Sequence, residues 1–370
     1  IELNKKKIFI CCTEQSGDNI CANILSRLDL KKFIIDGVCG SRSSEFISNK
    51  YYDISDFKSI GLVEVLFSIY KYIKMIRYLK NQIINNDYDL VICIDSPDFN
   101  YHLVKSLRKS KFFKKIIQIV APTVWAWRES RAKKFSDIYD DIFLLFDFEK
   151  KYFQYSNINA TFIGHPIYHI KKRTIKNKYK YIAFLPGSRE NEINKLFKYF
   201  DIIEKFIYEK NINYKIFIPT LPHLTELVRK KTKYWNIETL ISDEYSKFDK
   251  FYEDVYISVT CSGTASLEIA KRNIPQMVIY KLNIFTEIIL RIFIKIRYAC
   301  LINIVSKKTI IPEVVNSNLT SKNLINVFHQ LIKNTDYQND QIKKVNKYLH
   351  LIESDQSPYD ISVKKILSFF

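Results

Sequence analysis

Glycine is scarce in this sequence, with 7 residues among 370, against roughly 7% in an average protein. Each remaining glycine is therefore expected where the backbone needs a positive φ or a close approach. The cysteines form no CxxC pair, which favours buried free thiols in a reducing compartment over disulfides or a metal site. The Gly-x-Gly-x-x-Gly and Walker patterns are missing, which disfavours dinucleotide and P-loop chemistry. The N-terminal apolar run is too short for a signal peptide.

Basic residues are in large excess, with 58 Lys and Arg against 39 Asp and Glu, for a net charge of +19. They are spread along the whole chain, and no nucleic-acid recognition motif accompanies them. We therefore expect an anionic membrane surface or an anionic substrate rather than nucleic acid.

Apolar strand-like runs alternate with amphipathic helical segments from start to end, which predicts parallel sheets covered on both faces. The predicted strands are 7–13, 32–40, 89–95, 115–122, 141–146, 160–165, 181–187, 214–220, 237–243, 255–263 and 276–281. A basic, proline-containing stretch at 166–180 interrupts the alternation and is interpreted as a linker. The sequence thus predicts an α/β protein with two Rossmann-like halves.

Ligands of open parallel sheets bind beyond the carboxyl ends of the strands, so polar residues that follow a strand are site candidates. The first strand is followed by a polar turn containing Glu14, Ser16, Gly17 and Asp18. The third strand ends in IDSPDFN, where Asp95 is a candidate general base. Two alternatives stay open: Ser16 or Asp18 could be a helix N-cap, and Asp98 could cap its own helix. The DYD at 87–89 resembles a metal-binding motif but precedes its strand, so we discount it.

Two tryptophans follow the fourth strand in APTVWAWRESR. Their i, i+2 spacing indicates that one of Trp125 and Trp127 is buried while the other lines a cleft. Arg128 and Arg131 lie beside them.

The second half repeats the strand-turn-helix pattern at LPGSRENE and at CSGTASLE. Gly187 and Gly263 permit a close backbone approach, and hydroxyls come from Ser188, Ser262 and Thr264. Arg189 can donate twice to a phosphate, and Glu268 can accept from a ribose diol. These residues predict a nucleotide-diphosphate site.

Taken in order, the motifs resemble those of one family. SGD (16–18), GVCGSR (37–42), SIGLVEVL (59–66), IDSPDFN (94–100), APTVWAWRESR (121–131), FIGHP (162–166), LPGSR (185–189) and SGTASLE (262–268) resemble lipid-A-disaccharide synthase over residues 8–305. That family is an inverting glycosyltransferase of the GT-B type, family 19, which implies two Rossmann-like domains whose parallel sheets face a central cleft, with C-terminal helices.

The resemblance implies transfer of 2,3-diacylglucosamine from UDP to the 6-hydroxyl of 2,3-diacylglucosamine 1-phosphate (lipid X), releasing UDP. No cofactor and no metal are implied. The implied catalytic set is Asp95, Glu14, Asp18, Arg189 and Asn303. The implied substrate and UDP contacts are Ser16, Gly17, Gly187, Ser188, Arg189, Ser262, Gly263, Thr264, Glu268, Trp127 and Arg128.

Domain boundaries and location follow from the same resemblance. The expected parts are an acceptor- and membrane-facing domain at 1–168, a UDP-sugar domain at 178–345, and a C-terminal helix at 346–370 that packs back on the first domain. A cytoplasmic enzyme of a Gram-negative bacterium, peripherally bound to the anionic inner membrane, is expected, with a homodimer as one option. The general base stays open among Asp95, Asp98 and Glu14.

The sequence departs from the family at three places. Cys300 and Ile302 replace the serine and proline of an S-L-P-N segment that ends at Asn303, so that loop is expected to differ in shape. The sequence TEQSGD replaces the more usual GEASGD.

Two segments are candidates for the membrane contact, 62–80 and 283–305, and an amphipathic helix packed on the core is the alternative for both. Charges interrupt 283–305 every few residues, so a membrane span is not expected there.

Two other functions fit part of the sequence. Another UDP-sugar enzyme of GT-B type, such as a different glycosyltransferase or an epimerase, would share the two halves but not the Trp-Ala-Trp-Arg and SIGLVEVL segments. A non-catalytic basic membrane-binding protein would need no ordered polar residues at strand ends.

Overall fold

The computed structural model describes residues 5–57, 65–125, 129–154, 158–281 and 298–370, without the side chains of 65–69. The chain divides into two compact units. Unit 1 comprises Ile1–Tyr168 and Leu351–Phe370, and unit 2 comprises His169–His350.

Unit 1 is built on a seven-stranded parallel sheet with the order β3-β2-β1-β4-β5-β6-β7. Its strands are β1 (Lys6–Cys11), β2 (Phe33–Cys39), β3 (Asn49–Asp53), β4 (Leu90–Ile94), β5 (Lys115–Ile119), β6 (Asp141–Leu144) and β7 (Asn159–Phe162). Its first four helices are α1 (Gln15–Leu25), α2 (Val65–Asn85), α3 (Pro97–Lys109) and α4 (Ser130–Ser136).

The central strands of unit 1 are apolar on both faces. Every residue of β4 is buried, and β4 pairs in parallel with β1 at Ile10↔Ile92 and with β5 at Ile92↔Ile117. Helices on both faces account for this continuous burial, since one exposed face would require polar residues at alternate positions.

Unit 2 repeats the arrangement with a six-stranded parallel sheet of order β10-β9-β8-β11-β12-β13. Its strands are β8 (Tyr181–Leu185), β9 (Lys215–Pro219), β10 (Thr239–Ser242), β11 (Val255–Cys261), β12 (Gln276–Tyr280) and β13 (Glu313–Val315). Its helices are α5 (Glu190–Glu209), α6 (Thr225–Thr232), α7 (Tyr245–Tyr252), α8 (Thr264–Lys271), α9 (Leu301–Ser306), α10 (Ser321–Lys333) and α11 (Thr335–Leu349).

The last helix, α12 (Pro358–Leu367), belongs to unit 1 and packs against α1. Arg27 of α1 forms an ion pair with Asp360 at 3.0 Å, and its guanidinium lies 5.1 Å from the centre of the Tyr359 ring. Phe370 packs on Phe33, the first residue of β2, with ring centres 5.3 Å apart. The C-terminal residues therefore close a face of the first sheet.

The predicted fold class is confirmed, because both sheets are parallel and helices alternate with strands. Two edge strands, β3 and β13, were not predicted from the sequence. The strand β3 reads NKYYD and carries no apolar run, and β13 has three residues. The seven cysteines are buried free thiols, as predicted.

Candidate active site

Each of the two sheets has its own topological switch point, the place where the strand order reverses. It lies between β1 and β4 in unit 1 and between β8 and β11 in unit 2. Ligands of such sheets bind beyond the carboxyl ends of the strands at this point. The polar turns predicted from the sequence follow these four strands.

At the first switch point, Asp95 accepts a hydrogen bond from the hydroxyl of Ser16 at 2.5 Å. Ser16 reaches Asp95 because Gly17 lets α1 begin close to the end of β4. A Cβ at position 17 would lie 3.0 Å from the carbonyl oxygen of Ile94 and 3.3 Å from the Cβ of Asp95. Those contacts are tighter than ordinary packing, so a side chain there would separate the two loops.

The backbone turns sharply at Asp95. Asp95 and Ser96 have φ values of +55° and +45°, in the left-handed region that residues other than glycine seldom adopt. The carbonyl oxygen of Asp95 accepts the side-chain amides of Asn100 at 2.9 Å and Gln118 at 3.0 Å. The turn places the Asp95 carboxylate at the start of α3, beyond the sheet edge.

Asp18 occupies a different environment from the one predicted for a catalytic carboxylate. Its side chain is fully buried and accepts the backbone N–H groups of Gly40 at 2.9 Å, Arg42 at 3.0 Å and Ser43 at 3.3 Å, together with the Ser43 hydroxyl. These donors belong to the loop after β2, so Asp18 holds that loop against α1. The geometry gives Asp18 a structural role, and its catalytic role stays a prediction.

Glu14 and Asp98 are the other carboxylates near this edge. Glu14 is exposed at the start of α1. The pKa of Tyr72 is raised mainly by burial of its hydroxyl and also by the negative charge of Glu14. Asp98 is 80% exposed and pairs with Arg131 at 2.6 Å. Because that guanidinium already engages Asp98, Asp95 with its serine partner has the better arrangement for accepting a proton.

At the second switch point, the turn after β8 combines a left-handed glycine with a cation. Gly187 has φ of +112°, and the Ser188 N–H donates to the Glu192 carboxylate at 3.3 Å. Arg189 is 74% exposed, with one nitrogen 3.5 Å from the same carboxylate. The guanidinium is thus tethered loosely and remains accessible to an anion.

The turn after β11 lies at the same sheet edge, because β8 and β11 pair directly at Leu185↔Thr260. Gly263 has φ of +103°, and no described atom lies within 4 Å of the position its Cβ would take. Thr264, the first residue of α8, is exposed, while the Ser262 hydroxyl donates to the Ala299 carbonyl at 2.7 Å. Open space above a glycine at a helix N-terminus suits an anionic group.

Glu268 lies in the second turn of α8. Burial raises the pKa of its carboxyl, and the nearby Arg272 opposes that shift. Arg272 itself bonds Asp249 at 2.5 Å and packs on the ring of Tyr252.

Asn303 is fully buried in α9, and its side chain is engaged by the protein. Its amide donates to the Ile311 carbonyl at 2.7 Å and to Glu313 at 2.8 Å, and its oxygen accepts the N–H groups of Ile310 and Ile311. Glu313 in turn accepts the N–H of Ala299, whose carbonyl binds Ser262. Asn303 therefore organises the loop that supports Ser262, and its catalytic role stays a prediction.

The predicted contacts Trp127 and Arg128 lie outside the described residues. Their neighbour Trp125 donates from its indole nitrogen to Glu149 at 2.9 Å. Burial raises the pKa of Glu149 to about 7, and burial lowers the pKa of His165 to about 4. Phe146 links the two groups, since it stacks on His165 and its N–H donates to Glu149.

Sequence reasoning missed three residues at these edges. Gln118 could have been found, because it is a polar residue inside the apolar run of β5. Glu192 could have been found from its place in the first turn after Gly187. Glu149 carries no distinguishing signal among the charges around it.

The discounted DYD motif at 87–89 lies at the amino end of β4, opposite to the end that carries Asp95. Asp87 pairs with Lys114 at 2.5 Å, and Asp89 accepts the Lys7 N–H at 2.9 Å. Among the residues that the structure describes, no cluster of His, Cys, Asp or Glu is arranged to hold a metal ion.

One face of α2 is exposed and both apolar and basic. Tyr70 is 73% exposed and Ile73 is 50% exposed, and Lys74 and Arg77 lie beside them. Ile76 of the same helix packs against the core instead. Within the described ranges no helix is long and apolar enough to cross a membrane. Most of the second candidate, 283–305, falls outside the described residues.

Comparison with known proteins links this geometry to one family. The family model for lipid-A-disaccharide synthetase matches residues 8–367. The lipid-A-disaccharide synthase of Rickettsia felis is 33% identical over 379 residues, covering 98% of this chain and 96% of the relative. That of Rickettsia prowazekii is 32% identical over 385 residues, covering 99% and 100%.

Solved structures show the same fold. UDP-GlcNAc 2-epimerase from Neisseria meningitidis, bound to UDP-GlcNAc, aligns with a TM-score of 0.60 at 14% identity, covering 98% of this chain and 99% of the other. MurG from Acinetobacter baumannii aligns at 0.59 and 11% identity with the same coverage. At these identities the likeness establishes the GT-B architecture alone.

Proposed function

The chain belongs to the lipid-A-disaccharide synthetase family, and on that premise we propose a division of labour between its two units. It is a glycosyltransferase of lipid A biosynthesis. The donor is UDP-2,3-diacylglucosamine and the acceptor is the 6-hydroxyl of 2,3-diacylglucosamine 1-phosphate (lipid X). The products are lipid A disaccharide 1-phosphate and UDP, with inversion at the transferred anomeric carbon.

Unit 1 supplies the base. The observation that carries the proposal is the contact between Asp95 and Ser16, which holds one oxygen of the carboxylate at 2.5 Å and leaves the other for the acceptor. As the acceptor oxygen attacks the anomeric carbon, its proton passes to Asp95. Glu14 stands at the same edge as a second acidic contact for the acceptor sugar.

Unit 2 supplies the leaving-group site. UDP departs with developing negative charge, which the Arg189 guanidinium and the N–H groups at the start of α8 stabilise. Gly187 and Gly263 allow the diphosphate to approach the backbone, and Ser188, Ser262 and Thr264 add hydroxyls around it. Glu268 accepts from the ribose. Charge stabilisation by these groups needs no bound metal, so we expect full activity without added divalent cations.

The exposed face of α2 is the proposed membrane contact. Tyr70 and Ile73 would enter the interface while Lys74 and Arg77 meet anionic headgroups. This arrangement fits substrates that carry acyl chains, and it supports a cytoplasmic enzyme held peripherally at the inner membrane. A homodimer stays a prediction.

Turnover by the purified protein tests the proposal. UDP release should require both the diacylated donor and lipid X, and it should persist in EDTA. A matched donor without acyl chains, UDP-GlcNAc, should be a poor substrate. UDP release from UDP-GlcNAc without lipid X would instead indicate an epimerase-like or hydrolytic enzyme. Strict dependence on Mg²⁺ would instead favour Asp87 and Asp89 as metal ligands.

A further inference from the structure

One buried glutamine joins the ends of β4 and β5 beneath Asp95. The side chain of Gln118 has no solvent exposure, and its Nε2 lies 3.0 Å from the carbonyl oxygen of Asp95 and 3.0 Å from that of Val120. A single amide therefore bridges the ends of two neighbouring strands, β4 and β5, on one side of the first switch point.

The residues it bridges have unusual backbone conformations. Asp95 and Ser96 are left-handed, and Val120 has φ of +70°. Left-handed conformations are unfavourable for residues with a Cβ, most of all for a β-branched one, and they persist where the surroundings impose them. The Gln118 amide bonds to two of these three residues and is one of the groups that imposes the conformation.

Packing alone does not account for this amide. The oxygen of Gln118 finds no hydrogen-bond partner among the described residues, and the oxygen of Asn100, the second donor to Asp95, is in the same state. Burying an unpaired carbonyl is unfavourable, and an apolar side chain of the same size would avoid that cost. The donating half of each amide must therefore contribute something that an apolar residue would not.

We propose that Gln118 is a positioning residue that holds Asp95 in its left-handed conformation and so aims the carboxylate at Ser16 and the acceptor hydroxyl. The inference rests on the proposed role of Asp95 as the base. Gln118 itself does not touch the substrate. Its loss should let the turn relax and displace the carboxylate, which lowers the rate of the chemical step without affecting the UDP site in unit 2.

The test is Gln118→Met, which keeps the length of the side chain and removes the amide. Its matched control is Gln338→Met in unit 2. Gln338 is also buried, and its amide donates to two acceptors, the Leu331 carbonyl at 2.7 Å and the Tyr256 hydroxyl at 2.9 Å. We expect kcat to fall roughly 10- to 100-fold for Gln118→Met, since a displacement near 1 Å costs about that much. The KM for the UDP donor should stay within about twofold, and Gln338→Met should keep kcat within about threefold.

A second substitution distinguishes positioning from general loss of stability. Glycine adopts left-handed conformations readily, so Ser96→Gly added to Gln118→Met should recover at least about threefold in kcat. If Gln118→Met does not fold, Gln118→Leu carries the same expectation, because it also removes the amide and adds no buried charge.

Equal losses of kcat in Gln118→Met and Gln338→Met, a parallel rise in the donor KM, or no recovery by Ser96→Gly would overturn the inference. Asp95→Asn, measured beside them, separates this failure from failure of the proposed function. If Asp95→Asn stays active, the role of Asp95 is wrong. If it is inactive while Gln118→Met is normal, only the positioning role is wrong.

Discussion

The two switch points have the same strand order and opposite chemistry. Unit 1 presents a carboxylate at the end of β4, whereas unit 2 presents glycine turns and a guanidinium at the ends of β8 and β11. Both sites lie where a parallel sheet leaves space beyond its strands. The comparison shows that topology decides where a ligand can bind and that the turn residues decide which charge it meets.

The way each turn reaches a positive φ differs as well. Unit 2 uses Gly187 and Gly263, and glycine suits the proposed site because a phosphate that approaches backbone N–H groups leaves no room for a side chain. In unit 1 the proposed base is itself the side chain at position 95, so glycine would remove it. Its left-handed turn is instead held by the amides of Asn100 and Gln118. The proposed base site thus relies on side-chain amides, where the proposed anion site relies on glycine.

The largest effect should come from Asp95→Asn in unit 1, which keeps the shape and removes the charge. We expect kcat to fall by about 10²–10⁴ with UDP affinity near normal, because a general base contributes on that scale. The assay is steady-state turnover together with a direct UDP-binding measurement. Asp98→Asn, at the exposed partner of Arg131, is the matched control and should change kcat little. Equal loss of UDP binding in Asp95→Asn would contradict the division of labour.

In unit 2, Arg189→Ala should raise the barrier by roughly 2–4 kcal/mol, or about 30- to 1,000-fold in kcat/KM, as for other donors that stabilise a leaving anion. Arg229→Ala is a close control, because Arg229 is 61% exposed and pairs with Glu226 three residues away, as Arg189 pairs with Glu192. The control should retain activity, and both variants should keep the wild-type melting temperature. If kcat/KM of Arg189→Ala stayed within threefold of wild type, Arg189 would not stabilise the leaving anion, and the contrast between the two units would lose its cation.

Unit 1 also buries two titratable groups whose effects on stability oppose each other. Burial raises the pKa of Glu149 from 4.5 to about 7, so its contribution to the free energy of unfolding falls as pH rises across that window. Burial lowers the pKa of His165 from 6.5 to about 4, so its contribution rises with pH between those values. Because the two pH windows overlap between 4.5 and 6.5, we expect the two contributions to oppose each other there in the wild type.

Single substitutions should unmask each contribution in urea denaturation curves measured from pH 4 to 8. Relative to wild type, the unfolding free energy of Glu149→Gln should rise by up to about 3 kcal/mol between pH 4.5 and 7. That of His165→Phe should fall by a similar amount between pH 4 and 6.5. Glu45→Gln, which makes the same substitution at an exposed position, is the control. Parallel slopes in the two variants would mean that the groups are not buried as described.

The smallest effect concerns the membrane face assigned to unit 1. Changing Lys74 and Arg77 together to glutamine should weaken binding to anionic vesicles by about 2 kcal/mol at low salt, since each basic residue near the surface contributes about 1 kcal/mol. High salt should shrink the difference. Lys71 is left in place because it bonds the Asp56 carbonyl.

The matched control is the double change of Lys343 and Lys347, two exposed lysines of α11 in unit 2, to glutamine. It removes the same charge from the other unit and should bind vesicles like wild type. Turnover of detergent-dispersed substrate should be unaffected in both proteins. Equal weakening in the two double variants would show that total charge, rather than the face of α2, governs the association.

The sequence alone determined the fold class and the edges where chemistry would lie, because continuous apolar runs and turn residues are local signals that depend on few distant contacts. Gly187, Gly263 and Asp95 were placed at the carboxyl ends of their strands in this way. Only the tertiary structure decided which carboxylates already have partners in the protein. Asp98 pairs with Arg131, and the buried Asp18 accepts hydrogen bonds from four donors of the loop after β2. The support of Asp95 by Gln118 likewise depends on the neighbouring strand. These outcomes rest on contacts between residues far apart in the chain, which local patterns do not encode.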